Sequence, residues 1–136
     1  VQTAIPLWIG GGGEKRTLSI AARWADGWNV PFVSPEVFGR KSRILTEHCE
    51  RHDRDPRAVA RTVNVGIAWT EESLVAQFGL IAPHVRPGVL VGSDQEVLDR
   101  IGEYVESGAD QINLALRAPF DLDDVEHFAE LLGLAG

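Results

Sequence analysis

The sequence has little cysteine, few basic residues and no long apolar run. Its single cysteine, Cys49, can form no disulfide within the chain, which fits a reducing compartment such as the cytoplasm. Thirteen Lys and Arg residues stand against 20 Asp and Glu, and the net charge of −7 argues against nucleic acids or membrane surfaces as partners. No apolar run approaches the ~20 residues of a membrane-spanning helix, and the N-terminal stretch does not resemble a signal peptide.

The chain also lacks the material for a second domain and begins without an initiator methionine. Its 136 residues, 44% of them apolar, are enough for one modest core, so we expect a single domain over residues 1–136. The sequence starts at Val1 and passes almost directly into an apolar run. We therefore expect a piece excised from a longer protein.

A run of glycines is the most informative segment. It separates the apolar residues 5–9 from a helical pattern that ends before a second apolar run, and its members are Gly10, Gly11, Gly12 and Gly13. Residues without a Cβ let the backbone approach a ligand closely, and a helix N-terminus attracts anions, phosphate above all. The segment predicts a phosphate-bearing ligand at the carboxyl end of a strand. The alternative is a flexible turn without a ligand.

Two common nucleotide-binding motifs are absent from this loop. Glu14 stands where the final glycine of G-x-x-x-x-G-K-[ST] would be, and Lys15 occupies the last position of G-x-G-x-x-G. The pattern therefore indicates a type of loop and names no nucleotide.

Apolar runs alternate with helical patterns along the rest of the chain. Near-continuous apolar runs indicate strands covered on both faces, as in parallel sheets, and they span residues 5–9, 28–32, 62–69 and 111–116. One additional helix precedes the last strand, and Ser93-Asp94-Gln95-Glu96 has the pattern of a capping box at a helix start. The alternation predicts a parallel α/β fold. A small open sheet and half of a (β/α)8 barrel both satisfy it.

Several landmarks occur in a fixed order along the chain. They are residues 5–13 with 21–29, Arg54-Asp55-Pro56, residues 91–96, residues 107–114 and Phe120-Asp121. In this order they resemble the second half of the bacterial luciferase-like monooxygenase family, and its deazaflavin (F420)-dependent branch is the closest match. The resemblance covers essentially all of the chain.

The resemblance implies parallel βα repeats that form the second half of a (β/α)8 TIM barrel. The four strands would all be parallel and adjacent in sequence order, with helices on one outer side. The active site of a barrel lies at the carboxyl ends of its strands. Family members are about twice as long, and their amino-terminal half supplies most of the groups proposed for catalysis. No catalytic residue is therefore assigned here, and we expect the isolated chain to be inactive.

The resemblance also implies a cofactor site. It gives the backbone N–H groups of Gly10 to Gly13 the role of binding the cofactor phosphate. Lys15 and Arg16 can add positive charge, or they can form a solvated first turn of the helix. The implied cofactor is F420, with FMN as the alternative.

Two residues at strand ends are candidates to contact a small-molecule substrate. Trp69 ends the third strand and Arg117 follows the last one. The alternative for Trp69 is simple packing, and for Arg117 it is an ion pair with Asp121 or Asp123. Asn29, early in the second strand, lines the pocket or satisfies a backbone group in the barrel wall.

A histidine pair raises the question of a metal. His48 and His52 are four residues apart on a predicted helix, a spacing that can bind zinc, with Cys49 and Asp53 nearby. The intervening Glu50-Arg51 looks like a solvated face and no third ligand cluster appears, so we predict no metal site.

The implied reaction is hydride transfer between a deazaflavin and a small organic substrate. An FMN-dependent luciferase-like monooxygenase is the alternative within the enzymes. A non-catalytic, phosphate-ligand-binding half-barrel or interaction subunit is the alternative outside them. Half a barrel leaves two sheet edges open, so we expect a need for the amino-terminal half-barrel, or self-association as a homodimer.

Overall fold

The computed structural model describes residues 5–118 and 121–134. Within them one sheet holds β1 (Trp8–Gly10), β2 (Gly27–Pro31), β3 (Ala60–Ala68), β4 (Val89–Val91) and β5 (Gln111–Leu114). The α-helices are α1 (Thr17–Trp24), α2 (Pro35–Arg51), α3 (Glu71–Phe78), α4 (Ala82–Val85), α5 (Asp94–Glu106) and α6 (Leu122–Leu131). None of the described helices combines the length and apolarity needed to cross a membrane.

The four strands expected from the sequence lie side by side in sequence order. β1 pairs with β2, β2 with β3, and β3 with β5, and each pairing is parallel. The register places Asn29 beside Thr62, and Thr62 beside Gln111. The predicted parallel α/β fold is therefore confirmed.

The first strand starts later than predicted. β1 begins at Trp8, and Leu7 before it is bonded mainly to Asp26, with one longer bond of 3.3 Å from the N–H of Gly27. The backbone N–H of Leu7 donates to the Asp26 carboxylate at 2.7 Å, and the carbonyl of Leu7 accepts from the Asp26 N–H at 2.8 Å. The Asp26 side chain thus ends the hydrogen-bond ladder between β1 and β2, and the apolar pattern of the sequence does not reveal this end.

β4 is a strand that the apolar pattern did not predict. Val89–Val91 pairs in parallel with the last three residues of β3, beyond the part of β3 that pairs with β5. Three residues are too few to show a strand period. The entry into β4 also depends on Gly88, because a Cβ there would lie 2.2 Å from the Cα of Phe32. A close backbone contact between distant segments therefore places this strand.

The main core lies between the helices and one face of the sheet. Trp28 stacks on Phe38 of α2 with ring centroids 5.6 Å apart, and Tyr104 of α5 meets Phe38 edge-on at 6.2 Å. All three side chains are fully buried. The Tyr104 hydroxyl donates to the carbonyl of Val33 at 2.6 Å. Burial raises the pKa of Tyr104 to about 12, so this hydroxyl keeps its proton at neutral pH.

α3 lies against the opposite face, which corrects the expectation of helices on one side only. Residues of β3 face the two sides of the sheet in turn, so position 66 lies on the same face as Asn64 and on the opposite face from Val65. A Cβ on Gly66 would lie 3.0 Å from Cζ of Phe78 in α3. The missing side chain therefore makes room for α3 at the carboxyl end of β3.

Candidate functional site

The glycine loop, residues 10–16, joins the carboxyl end of β1 to α1. Gly11 has a φ of +120°, a conformation that side chains disfavour. Its N–H donates to the carbonyl of Asn29 at 2.9 Å, so the loop leaves β1 while still attached to β2. α1 begins at Thr17, about one turn later than predicted, and Arg16 precedes it without a side-chain cap.

Four consecutive backbone carbonyls of the glycine loop, from Gly11 to Glu14, each accept a hydrogen bond. In order, the donors are Trp28 Nε1 at 2.8 Å, Lys41 Nζ at 2.7 Å, Leu18 N at 3.0 Å and His48 Nε2 at 2.8 Å. A carbonyl only accepts, so Nε2 of His48 carries a ring proton. The acceptor groups of the loop are therefore directed into the protein.

The N–H groups that follow Gly11 in the same loop have no such partners. Among residues 5–118 and 121–134, no acceptor forms a hydrogen bond with the N–H groups from Gly12 to Arg16. In a planar trans peptide, the carbonyl of one residue and the N–H of the next point in opposite directions. Carbonyls held inward therefore turn the neighbouring N–H groups outward. A row of outward backbone donors is an arrangement that binds anions.

Positive charge surrounds the loop although the chain is acidic overall. Lys15 and Arg16 are exposed, and neither forms an ion pair within the described part of the chain. Lys41 pairs with Glu14 at 3.0 Å, and Arg40 lies 3.6 Å from the same carboxylate. The hydrogen bond from Lys41 holds the pKa of Glu14 below its usual range. Glu14 thus takes up the charge of Lys41 and Arg40, and the two cations without an ion-pair partner in the described part of the chain, Lys15 and Arg16, favour an anionic ligand.

The sequence assigns neither Lys41 nor His48 to this loop. Both lie on α2, and they are separated along the chain by 29 and 34 residues from the carbonyls that they hold. The two histidines with zinc-like spacing instead have separate partners, because His52 Nε2 lies 3.3 Å from the hydroxyl of Ser19. Among the described residues, no group of three His, Cys, Asp or Glu side chains is placed to hold a metal ion.

Trp69 lies directly after β3 and is held against α6. Its indole N–H donates to the carbonyl of Asp124 at 3.4 Å, and its ring meets His127 edge-on with centroids 4.4 Å apart. The Asp94 carboxylate lies 2.8 Å from Nε2 of His127. This hydrogen bond raises the pKa of His127. The polar atom of Trp69 is therefore engaged inside the protein, and its half-buried ring is the part that can border a ligand.

Arg117 follows β5 and is exposed. Its guanidinium carbon lies 5.9 Å from the centre of the Phe78 ring, so it reaches toward α3. Within the described residues it forms no ion pair with Asp121 or Asp123; the Asp121 carboxylate instead accepts from the Asp123 N–H at 3.0 Å. Phe120, which belongs to the last sequence landmark, lies outside the described residues.

A polar row crosses the face of the sheet opposite the main core. Asn29 Oδ1 accepts from the Thr62 hydroxyl at 2.8 Å, and the amide of Asn113 donates to Asn64 Oδ1 at 3.3 Å. Gln111 donates to the same Asn113 side chain. The side chain of Asn29 thus has a partner within the sheet, which agrees with a role in the wall.

No protein-family model and no curated protein matches the chain. Solved structures do. An F420-dependent secondary alcohol dehydrogenase in complex with an F420–acetone adduct matches with a TM-score of 0.79 and 13% identity, over 98% of this chain and 49% of that one. The coenzyme F420-dependent tetrahydromethanopterin reductase from Methanopyrus kandleri matches with a TM-score of 0.69 and 17% identity, over 95% of this chain and 49% of that one. The FMN-bound oxygenating constituent of 3,6-diketocamphane monooxygenase from Pseudomonas putida matches with a TM-score of 0.63 and 15% identity, over 96% of this chain and 47% of that one.

The chain spans about half the length of these structures. At 13–17% identity the likeness is one of fold. This likeness agrees with the landmarks in the sequence. It also decides between the small open sheet and the half-barrel, which the alternation of strands and helices had left open. The chain has the fold of half a luciferase-like (β/α)8 barrel.

Proposed function

We propose that this chain is part of a luciferase-like oxidoreductase and that its glycine loop binds the phosphate of a deazaflavin or flavin cofactor. One observation carries the proposal: four successive loop carbonyls are held inward, while the N–H groups from Gly12 to Arg16 have no acceptor among the described residues. The loop also lies at the carboxyl end of β1, the edge where barrel enzymes bind their ligands.

The residues present fit a phosphate. Gly12 and Gly13 have no side chain to keep a phosphate away from the backbone, and the exposed Lys15 and Arg16 add charge at the end of the loop. The backbone N–H groups would bind and orient the phosphate, and the two cations would strengthen that binding. Gly10 ends β1 and the N–H of Gly11 is bonded to Asn29, so the proposed backbone contacts to the phosphate begin at Gly12.

F420 is the proposed cofactor, with FMN as the alternative. The sequence landmarks favour the deazaflavin branch, and two matched structures are F420-dependent enzymes, whereas a third holds FMN. Either cofactor supplies hydride chemistry when bound. The part of this chain is to hold the phosphate and to form one wall of the barrel. No residue of it is assigned a catalytic role.

The substrate would meet the carboxyl edge of the sheet. Arg117 is the proposed contact for an acidic group of a small organic substrate, because its guanidinium is exposed and carries no carboxylate partner among the described residues. Trp69 is proposed to border the same space with its half-buried ring. The proposed partner is the other half of the barrel, which would cover the polar face of the sheet.

A fluorescence titration with two matched cofactor pairs tests the proposal. FMN is compared with riboflavin, which differs from it only by the phosphate, and F420 with its ribityl deazaflavin, which lacks the phosphate and the side chain attached to it. We expect the phosphorylated member of one pair to bind the 136-residue chain about tenfold to a hundredfold more tightly. Inorganic phosphate should displace it. Equal affinities within both pairs would contradict the proposal.

A further inference from the structure

α2 carries two polar side chains that reach the glycine loop from the same side. Lys41 and His48 are at positions i and i+7 of α2, about two turns apart, so they project in the same direction. Lys41 Nζ meets the carbonyl of Gly12, and His48 Nε2 meets the carbonyl of Glu14. Two points of the loop are therefore attached to one rigid helix.

Lys41 is held firmly in this position. Its side chain is 13% exposed, and its Nζ has two acceptors, Gly12 O at 2.7 Å and Glu14 Oε1 at 3.0 Å. A Cβ on Gly12 would lie only 3.3 Å from Cε of Lys41, so the lysine stem runs directly along the loop backbone. A largely buried ammonium group is costly without acceptors. Both acceptors come from the loop, so the lysine and the loop order each other.

Each of these contacts also fixes an N–H group. The carbonyl of Gly12 and the N–H of Gly13 belong to one planar peptide and point in opposite directions. Lys41, by holding that carbonyl inward, directs the Gly13 N–H outward. His48 directs the Lys15 N–H in the same way through the carbonyl of Glu14.

We infer that Lys41 and His48 are positioning residues for the anion site: they hold the glycine loop so that the N–H groups of Gly13 and Lys15 face the ligand phosphate. The inference rests on the proposed function for the identity of the ligand. Lys41 acts through the backbone and not as a direct phosphate contact, because its charge is engaged by the carboxylate of Glu14.

The variant Lys41→Met tests the inference, since methionine keeps most of the apolar stem and loses the donor. Lys41→Arg keeps a charged donor and is the rescue variant. Arg40→Met is the matched control, because Arg40 also approaches Glu14, at 3.6 Å, but contacts no loop carbonyl. Thermal melts establish that each variant is folded.

Two readouts are used. The first is the 15N heteronuclear NOE of the loop amides in the ligand-free chain. We expect it to fall for Gly13 and its neighbours in Lys41→Met and to stay at the parental value in Lys41→Arg and Arg40→Met. The second is the ratio of FMN to riboflavin affinity. We expect it to fall about tenfold in Lys41→Met and to change less than about threefold in the other two.

Parental NOE values and a parental affinity ratio in Lys41→Met would overturn the inference. Failure of the proposed function looks different: the parent chain would then bind FMN and riboflavin equally, and the NOE readout alone would decide the role of Lys41. His48→Gln, which can keep a donor near the carbonyl of Glu14, and His48→Leu, which cannot, give the same comparison for Lys15. Equal NOE values in these two variants would overturn the role of His48.

Discussion

Lys41 Nζ lies 2.7 Å from the carbonyl oxygen of Gly12, a residue 29 positions earlier in the chain. The contact joins α2 to the most glycine-rich segment of the sequence. Glycine loses more conformational freedom on folding than any other residue, so a loop of this kind needs external contacts to keep one conformation. The predictions below concern this loop first, then the core, a titrating pair and the open edges of the sheet.

Gly12→Val tests whether the loop backbone is approached closely by a phosphate. A Cβ at this position would lie 3.3 Å from Cε of Lys41 and 3.6 Å from Cγ2 of Val30, so the added methyl groups would push Lys41 away from the loop and disturb the N–H groups that its contact directs outward. We expect the affinity for FMN to fall about tenfold to a hundredfold, the effect of losing roughly 1.5–3 kcal/mol from one charge-assisted hydrogen bond. Titration beside thermal melts measures it.

Gly102→Val is the matched control, because a Cβ at Gly102 of α5 would meet nothing within 4 Å. It should leave the affinity for FMN unchanged. Gly11→Val should behave differently from both: the φ of +120° at Gly11 disfavours any side chain, so that variant should mainly lose thermal stability. If Gly12→Val binds FMN as tightly as the parent, the loop is only a turn.

Tyr104→Phe tests the buried hydrogen bond at the centre of the core. It removes the 2.6 Å bond to the carbonyl of Val33 and leaves that acceptor without this donor. We expect the free energy of unfolding to fall by about 1–3 kcal/mol, with an unchanged dependence on urea concentration. A loss below about 0.3 kcal/mol would mean that water replaces the hydroxyl there.

His127 and Asp94 should make stability depend on pH. The hydrogen bond to Asp94 raises the pKa of His127 above its ordinary value of 6.5. A histidine whose pKa is higher in the folded chain stabilises that state fully below pH 6.5, and this contribution is lost as the pH rises through the folded pKa. The melting temperature should therefore fall slightly as the pH rises through that window. The fall should be small because both side chains of the pair are exposed.

An NMR titration of the histidine ring protons measures this pair directly. Asp94→Asn should return the pKa of His127 toward 6.5. His52, which has a serine hydroxyl at 3.3 Å and no carboxylate partner within the described residues, is the internal control. An unchanged His127 titration in Asp94→Asn would show that the carboxylate is not the cause.

The chain should self-associate in solution. β1 is the edge strand on one side of the sheet, and apolar side chains near it are exposed: Ile5 by 86%, Leu7 by 47% and Trp8 by 49%. Open edges and apolar patches favour association. Sedimentation velocity should show species above the monomer that grow with concentration, and Leu7→Lys should reduce them. A single monomeric species at all concentrations would contradict this prediction.

Local pattern predicted much of the architecture. The apolar runs placed the parallel strands because strands buried on both faces leave a signal within five to nine neighbouring residues. The capping box is also confirmed: the Glu96 carboxylate accepts from the Ser93 N–H at 2.8 Å, and Ser93 Oγ accepts from the Glu96 N–H at 3.4 Å. Such contacts span three residues, so sequence spacing alone is enough to specify them.

The candidate site was predicted only in its backbone. The glycines, Lys15 and Arg16 lie within one stretch of seven residues and are therefore visible as a pattern. The side chains that hold the loop, Lys41 and His48, are not visible in this way. The helix period shows which face of α2 is apolar, but it does not show which loop lies against the polar face. The same holds for Trp69, whose indole N–H meets a carbonyl 55 residues away.

The sequence by itself determined the positions and parallel direction of the main strands, the glycine loop and the cap of α5, because each leaves a pattern along the chain. Only the tertiary structure decided three other features: the short strand β4, the position of α3 over Gly66, and the inward direction of the loop carbonyls. Each of these depends on contacts between segments that are distant in sequence. The direction of a carbonyl depends on which donor packing brings within reach, and no local pattern contains that information.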